Sequence, residues 1–214
     1  MNLRTDFALE NSHNKIIKFK IPDKTLQEKF IHEVKSFLKR NHFSSQSHVF
    51  VVGLGNEAYT ADAVGPKAIK HIDATSHLDD LGIFSKRAKV SLLEPSVMGK
   101  TGISTEKMIA CISKEIKPDL LILIDSLVTD QLDLLNHSIQ INDEGMSPGS
   151  GLFGQNKKIS QGSIGIPVIC IGVATAIEYV DSMPLIVCTS DIDAYVANIA
   201  QLIGEGLNQL FSSF

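Results

Sequence analysis

Between residues 24 and 40 the apolar positions Leu26, Phe30, Val34, Phe37 and Leu38 recur three and four apart, which predicts an amphipathic helix with one buried face. Ahead of it, IIKFKI (16–21) alternates apolar and polar positions, the period-two pattern of an edge strand. VFVVGL (49–54) is instead a short unbroken apolar run closed by Gly55, as expected of a central strand covered on both faces. Strand and helix then alternate: a helix over 61–72, a strand over 88–93, a helix over 104–116, and DLLILID (119–125) as the strongest strand, introduced by Pro118. SIQIN (138–142) reads as an antiparallel addition, and 143–163, rich in Gly, Ser and Pro, as a loop. PVICIGV (167–173) and LIVC (185–188) are further strands, and residues 191–211 close the chain as an amphipathic helix capped by Ser190 or Asp191.

Such alternation predicts an α/β fold: a mostly parallel sheet with helices on both faces and an added antiparallel strand. Residues 16–214 form one domain on this reading, preceded by a polar, flexible segment at 1–15. A length of 214 residues with 43% hydrophobic content is enough for one sizeable core.

Composition then removes several classes of function. The longest apolar stretches, 119–124 and 166–174, fall short of the roughly 20 residues a bilayer requires. The opening MNLRTDFALENSHN has no apolar core of a secretory signal, so a cytoplasmic protein is expected. A formal net charge of −4 makes nucleic acid a poor direct ligand. Cys111, Cys170 and Cys188 are widely spaced in apolar runs, which predicts reduced buried thiols and neither disulfide nor zinc site. The histidines show no H-x-x-x-H pattern and read as surface residues; no metal and no other cofactor is expected.

In sheets of this kind ligands bind beyond the carboxyl ends of the strands. Three polar groups follow predicted strands there: the loop from Gly55 to Asp62, the pair Asp125-Ser126, and the turn Glu94-Pro95-Ser96. Asp125 ends an apolar run, so a rigid element delivers its carboxylate, and Asp62 is its natural partner if the first loop lies alongside. Two carboxylates sharing a proton can activate water on an amide carbonyl and protonate the leaving amine; they could equally share a divalent metal. Structural roles compete. Asp62 also fits a helix N-terminal acid behind Thr60, and Asp125 a turn residue after a buried strand. Gly53, Gly55 and Ala58 fit a dinucleotide fingerprint, but no acidic residue closes a second strand about 20 positions on, as ribose recognition needs.

VVGLGNEAYTADAVGP (51–66), PSVMGKTGIST (95–105), KPDLLILIDSL (117–127), IQINDEGMSPGSG (139–151) and GIPVICIGVATAIEYV (165–180) resemble, in order, successive blocks of the spore germination protease family. The resemblance implies a phosphorylase/hydrolase-like α/β fold and an atypical aspartic endopeptidase that degrades small acid-soluble spore proteins. It makes Asp62 and Asp125 the essential aspartates. It also implies a tetrameric zymogen; RTDFALE (4–10) resembles the propeptide cleavage region, which points to self-cleavage at Asp6-Phe7. Gly55, Asn56, Met98, Gly99, Pro148, Gly149, Ser150 and Gly151 are expected to contact substrate through their loops. Ser147 stands where the family usually has a histidine, and the segment between Val180 and Leu185 is reduced to a few residues. A more distant likeness is to the hydrogenase maturation endopeptidases, which sense nickel with acidic residues and a histidine. A diverged, non-catalytic paralogue that binds protein segments is the alternative of another class.

Overall fold

Runs of Val, Ile and Leu too long and too apolar for a half-exposed sheet form the middle of a seven-stranded mixed sheet. The computed structural model describes residues 10–20, 23–78, 81–83, 87–149, 157–180 and 184–213. Its elements are β1 (Asn14–Lys18), α1 (Leu26–Arg40), β2 (His48–Gly53), α2 (Val64–Ile69), β3 (Lys89–Leu93), α3 (Met98–Thr101), α4 (Thr105–Ile116), β4 (Leu120–Thr129), β5 (Ser138–Asn142), α5 (Gln161–Ile164), β6 (Val168–Val180), β7 (Pro184–Val187) and α6 (Ile192–Ser212). Short 3-10 turns occupy Thr60–Asp62 and Ser76–Leu78.

The sheet runs β1-β5-β6-β4-β2-β3, with β7 paired to the far end of β6. β3, β2, β4 and β6 are mutually parallel, as the alternation of strand and helix predicts. β1 and β5 join antiparallel beyond β6, and β7 folds back on it, so three strands rather than one are antiparallel additions.

Alternate side chains of each central strand enter two different cores. Val49, Val51, Ile122, Ile124, Ile169 and Ile171 face one, which α1, α2 and α6 cover. Phe50, Val52, Leu121, Leu123, Val168 and Cys170 face the other, with Ile109 of α4, Met146 and Ile159. Both faces are therefore dry. α1 buries the five residues its periodicity singled out; each such side chain contributes about 1.5–3 kcal/mol of burial. Its last turn ends at His42, in a left-handed conformation (φ 56°), with Asn41 Nδ2 donating to the Phe37 carbonyl at 2.9 Å.

Several expectations shift. β1 begins two residues earlier than its alternation suggested. The helix expected over 61–72 is a 3-10 turn, a break at Ala63 and only six α-helical residues. Asp191 is the N-cap of α6, but makes no side-chain capping hydrogen bond. Cys170 is buried as expected, whereas Cys111 and Cys188 are exposed, Cys111 lying on the solvent side of α4.

Candidate active site

β4 carries Asp125 but does not end there: it continues to Thr129, four residues past the predicted boundary. What ends is its neighbour. β2 pairs with β4 only as far as Gly53 opposite Ile124, whereas β6 runs on beside β4 to Ile177 opposite Thr129. At Asp125 the sheet therefore narrows to a β4–β6 ribbon, and the carboxylate stands in the notch left by β2. Asp125 is 4% exposed, and its Oδ1 accepts the Ser126 N–H at 2.9 Å. Leu121, Leu123 and Leu127 belong to one core and Ile122 and Ile124 to the other, so strand alternation puts Asp125 on the α4 face. Burial pushes the Cys170 thiol far up, and the charges of Asp125 and Asp143 add to this while Lys158 opposes it.

Ribbon and notch are closed by the loop that follows β2. Leu54 N–H donates to the Ile124 carbonyl at 2.8 Å, and Val64 N–H reaches Ser126 Oγ at 3.3 Å. Gly65 is required between them: a Cβ there would lie 2.2 Å from the Leu54 carbonyl oxygen and 2.4 Å from that of Ile124. A register shift between Leu127 and Val128 leaves Thr175 of β6 as a bulge residue, and its Oγ1 donates to the Ala61 carbonyl at 2.6 Å. Bulges of this kind re-aim a side chain. Residues 54–64 are thus tied to both strands of the ribbon, and Asp62 is brought to the edge that Asp125 occupies.

Inside the loop, Asn56 N–H donates to the Asp62 carbonyl (2.9 Å), Tyr59 N–H to the Asn56 carbonyl (2.9 Å) and Asp62 N–H to the Tyr59 carbonyl (2.8 Å). Gly55 sits at φ 117°, which only glycine adopts readily. Asn56 is 6% exposed; its Oδ1 accepts Ala58 N–H at 3.2 Å and Lys100 Nζ at 2.6 Å. Asp62 is half-buried, and burial raises its carboxyl to about 6, against the lowering effect of the Asn56 backbone N–H. It closes the 3-10 turn Thr60–Asp62, two residues ahead of the start of α2. The dinucleotide reading fails on the same geometry: ten residues, 54–63, separate β2 from α2, where that fingerprint needs a helix to start at once.

The remaining substrate-loop residues are spread unevenly. Met98 is 48% exposed and, with Gly99, opens α3. Pro148 is buried and Gly149 is left-handed (φ 65°); both follow Met146, which packs in the core facing Asp125. Ser150 and Gly151, and the Asp6-Phe7 bond, lie outside the described residues. Lys100 was not singled out from the sequence, although it stands one residue beyond Met98-Gly99 and reaches the Asp62 loop. Of the histidines, His48 and His137 are only partly exposed, His48 Nε2 lying 2.8 Å from Ser91 Oγ and His137 Nδ1 2.7 Å from the Leu135 carbonyl. Among the described residues no three His, Cys, Asp or Glu side chains converge, and no helix is long and apolar enough to cross a membrane.

Fold and site define an α/β protein in which Asp125, and a loop carrying Asp62, stand where the parallel sheet thins to a two-stranded ribbon. The sequence model described as germination protease matches residues 14–183. The germination protease of Priestia megaterium is 40% identical over 158 residues, 72% of this chain and 43% of that protein. That of Geobacillus sp. is 37% identical over 185 residues, 85% of this chain and 48% of that protein. The chain belongs to the germination protease family. It spans about half the length of the curated relatives it matches. Among solved structures, a [NiFe] hydrogenase maturation protease, HycI, from Thermococcus kodakarensis KOD1 has a TM-score of 0.46 at 19% identity, covering 79% of this chain and 98% of that one.

Proposed function

We propose that the chain is an endopeptidase in which Asp62 and Asp125 act as an acid and base pair on a water molecule. The observation that carries this reading is the tethering of the Asp62 loop to the two strands beside Asp125, through Val64 to Ser126 and Ala61 to Thr175. Asp62 holds its proton up to about pH 6, while Asp125 is set deep in the strand beside it. Water attacks the scissile carbonyl as one carboxylate takes its proton, and the protonated partner delivers a proton to the leaving amine. Backbone N–H groups of Gly55 and of the loops at Met98-Gly99 and Gly149 are the proposed donors to the developing oxyanion, a role worth a few kcal/mol.

Small acid-soluble spore proteins are the proposed substrates, and removal of the N-terminal segment at Asp6-Phe7 the proposed activating step in a homo-oligomer. Membership of the germination protease family supports both. A second reading, a non-catalytic relative that binds protein segments, is favoured by Ser147, which stands where the family usually has a histidine. One experiment separates them. The full chain, and one lacking residues 1–6, are incubated with a small acid-soluble spore protein and the products read by intact mass, with D62N and D125N alongside. Cleavage lost in both variants, with the fold retained, supports the endopeptidase. Binding without cleavage by any form overturns it in favour of the second reading.

A further inference from the structure

Residues 94–104 connect β3 to α4 beside the Asp62 loop, and this connection holds itself together locally. Lys100 and Thr101 N–H groups both donate to the Val97 carbonyl (2.9 and 3.1 Å), Gly102 N–H donates to Met98 (2.8 Å), and Thr101 Oγ1 bonds Ile103 at both its N–H and its carbonyl (3.2 Å each). Ser96 takes a left-handed conformation (φ 58°) that serine adopts at a cost. Met98 and Ile103 are about half exposed, at 48% and 52%. Apart from the Ser104 carbonyl, which accepts the Met108 N–H as α4 begins, the hydrogen bond that leaves this segment among the described residues is a side-chain one: Lys100 Nζ to Asn56 Oδ1, at 2.6 Å.

Its acceptor is not an ordinary surface amide. Asn56 is 6% exposed, and the bonds that close the Asp62 loop run through it: its N–H to Asp62, its carbonyl from Tyr59, its Oδ1 from Ala58. A lysine ammonium is a strongly hydrated point charge, and in open solvent it gains little by leaving water for an amide. Glu57, the nearby carboxylate whose proton affinity Lys100 helps to lower, is engaged by Lys70. Lys100 is an exposed residue, yet its ammonium is set on the post of the loop rather than on Glu57. We propose that Lys100 is a positioning residue of the candidate active site: by clamping Asn56 it fixes the loop that carries Asp62. The catalytic consequence rests on the endopeptidase reading; the clamp itself does not.

The test uses the full chain with K100M, which keeps the stem and removes the donor, and K100R, which keeps a donor. Amide hydrogen exchange is measured residue by residue. The Asn56, Tyr59 and Asp62 amides are expected to exchange about tenfold faster in K100M, with Leu123 in β4 unchanged and K100R restoring most of the protection. Unchanged exchange at all three amides overturns the proposal. On a peptide substrate K100M is expected to lower kcat about tenfold while KM stays within about twofold. A raised KM at unchanged kcat makes Lys100 a substrate contact instead, and also overturns it. Faster exchange in K100M, with a parent chain that cleaves nothing, keeps the clamp and sinks the endopeptidase reading, so the two failures are distinguishable.

Discussion

β4 and the loop over residues 55–62 hold their aspartates by different means. Asp125 is part of a ten-residue strand, paired on one side by β6 from Leu121 to Thr129, and 4% exposed. Asp62 sits on a 3-10 turn assembled from backbone bonds to Asn56 and Tyr59, and is tied to the ribbon through Ala61, Val64 and Gly65. A strand fixes position, because moving one residue means breaking ladder bonds and repacking two cores. A tethered turn can instead tune proton affinity, because small changes in burial and in one N–H donor act directly on the carboxylate. In the proposed acid and base pair, the rigid group is Asp125 and the tunable one Asp62.

The largest effect expected is on turnover. Replacing either carboxylate by its amide, D62N or D125N, removes one proton-transfer group and is expected to lower single-turnover cleavage by about 10²–10⁴-fold. Circular dichroism and gel filtration should stay those of the parent. Wild-type-like cleavage by D62N would reduce Asp62 to a structural residue and break the comparison at its functional end.

Next comes the tether between the two regions. In G65A a methyl group meets two backbone carbonyl oxygens, at 2.2 and 2.4 Å, neither of which is a flexible side-chain end. The expected cost is about 3 kcal/mol, the upper part of the range for overpacking, read as a lower urea midpoint at unchanged m-value. A cost below about 1 kcal/mol would mean that the loop slides on β4 with little resistance, and that its contact with Ile124 does not set where Asp62 stands.

Asp62 itself should make stability depend on pH. Its folded carboxyl is raised from 3.8 to about 6 by burial, so the folded state disfavours the ionised form. Stability associated with the protonated group is complete below 3.8 and is lost as pH rises through about 6. At roughly 1.4 kcal/mol per pH unit the loss amounts to about 3 kcal/mol as an upper bound. D62N, which cannot ionise, is expected to be the more stable protein at pH 8 and to converge with the parent near pH 4, as thermal melts across that range will show. Equal melting at all pH values would place the carboxylate in water and remove the proton-holding role.

How much of this was legible in the sequence follows from where the signals lie. All five buried residues of α1 stand at helical spacing, and the run 120–124 marks β4 because burial on both faces admits nothing polar. Residues 126–129, SLVT, and 174–176, ATA, lack that signal: they lie where the strands have fewer neighbours, and small or polar residues, Ser126, Thr129, Ala174, Thr175 and Ala176, interrupt the apolar run. The ribbon extension was therefore missed, and with it the notch. The broken helix at 60–69 is held by bonds to Ser126 and Thr175, residues distant in sequence, which no local pattern encodes. Lys100 and Asn56 are 44 positions apart in two loops, so their contact exists only in three dimensions. Asp125 and Asp62 stand out in the sequence as candidates, because one carboxylate follows an apolar run and the other a glycine turn.

The smallest effect tests whether the β6 bulge serves the loop. Thr175 is 1% exposed, and its hydroxyl donates to the Ala61 carbonyl at 2.6 Å. Thr175→Val keeps the branched shape and β-propensity but leaves that carbonyl without this donor, at a cost of about 1 kcal/mol. Ala61 adjoins Asp62, so the loss should be felt locally: D62N/T175V, compared with each single variant by urea unfolding at pH 8, is expected to be non-additive by about 0.5 kcal/mol or more. Strict additivity would mean that the bulge holds Ala61 without influencing its neighbour. The tuning of Asp62 would then belong to Asn56 and burial alone, and the loop would divide into a strand-bound half and a half that answers only to its own bonds.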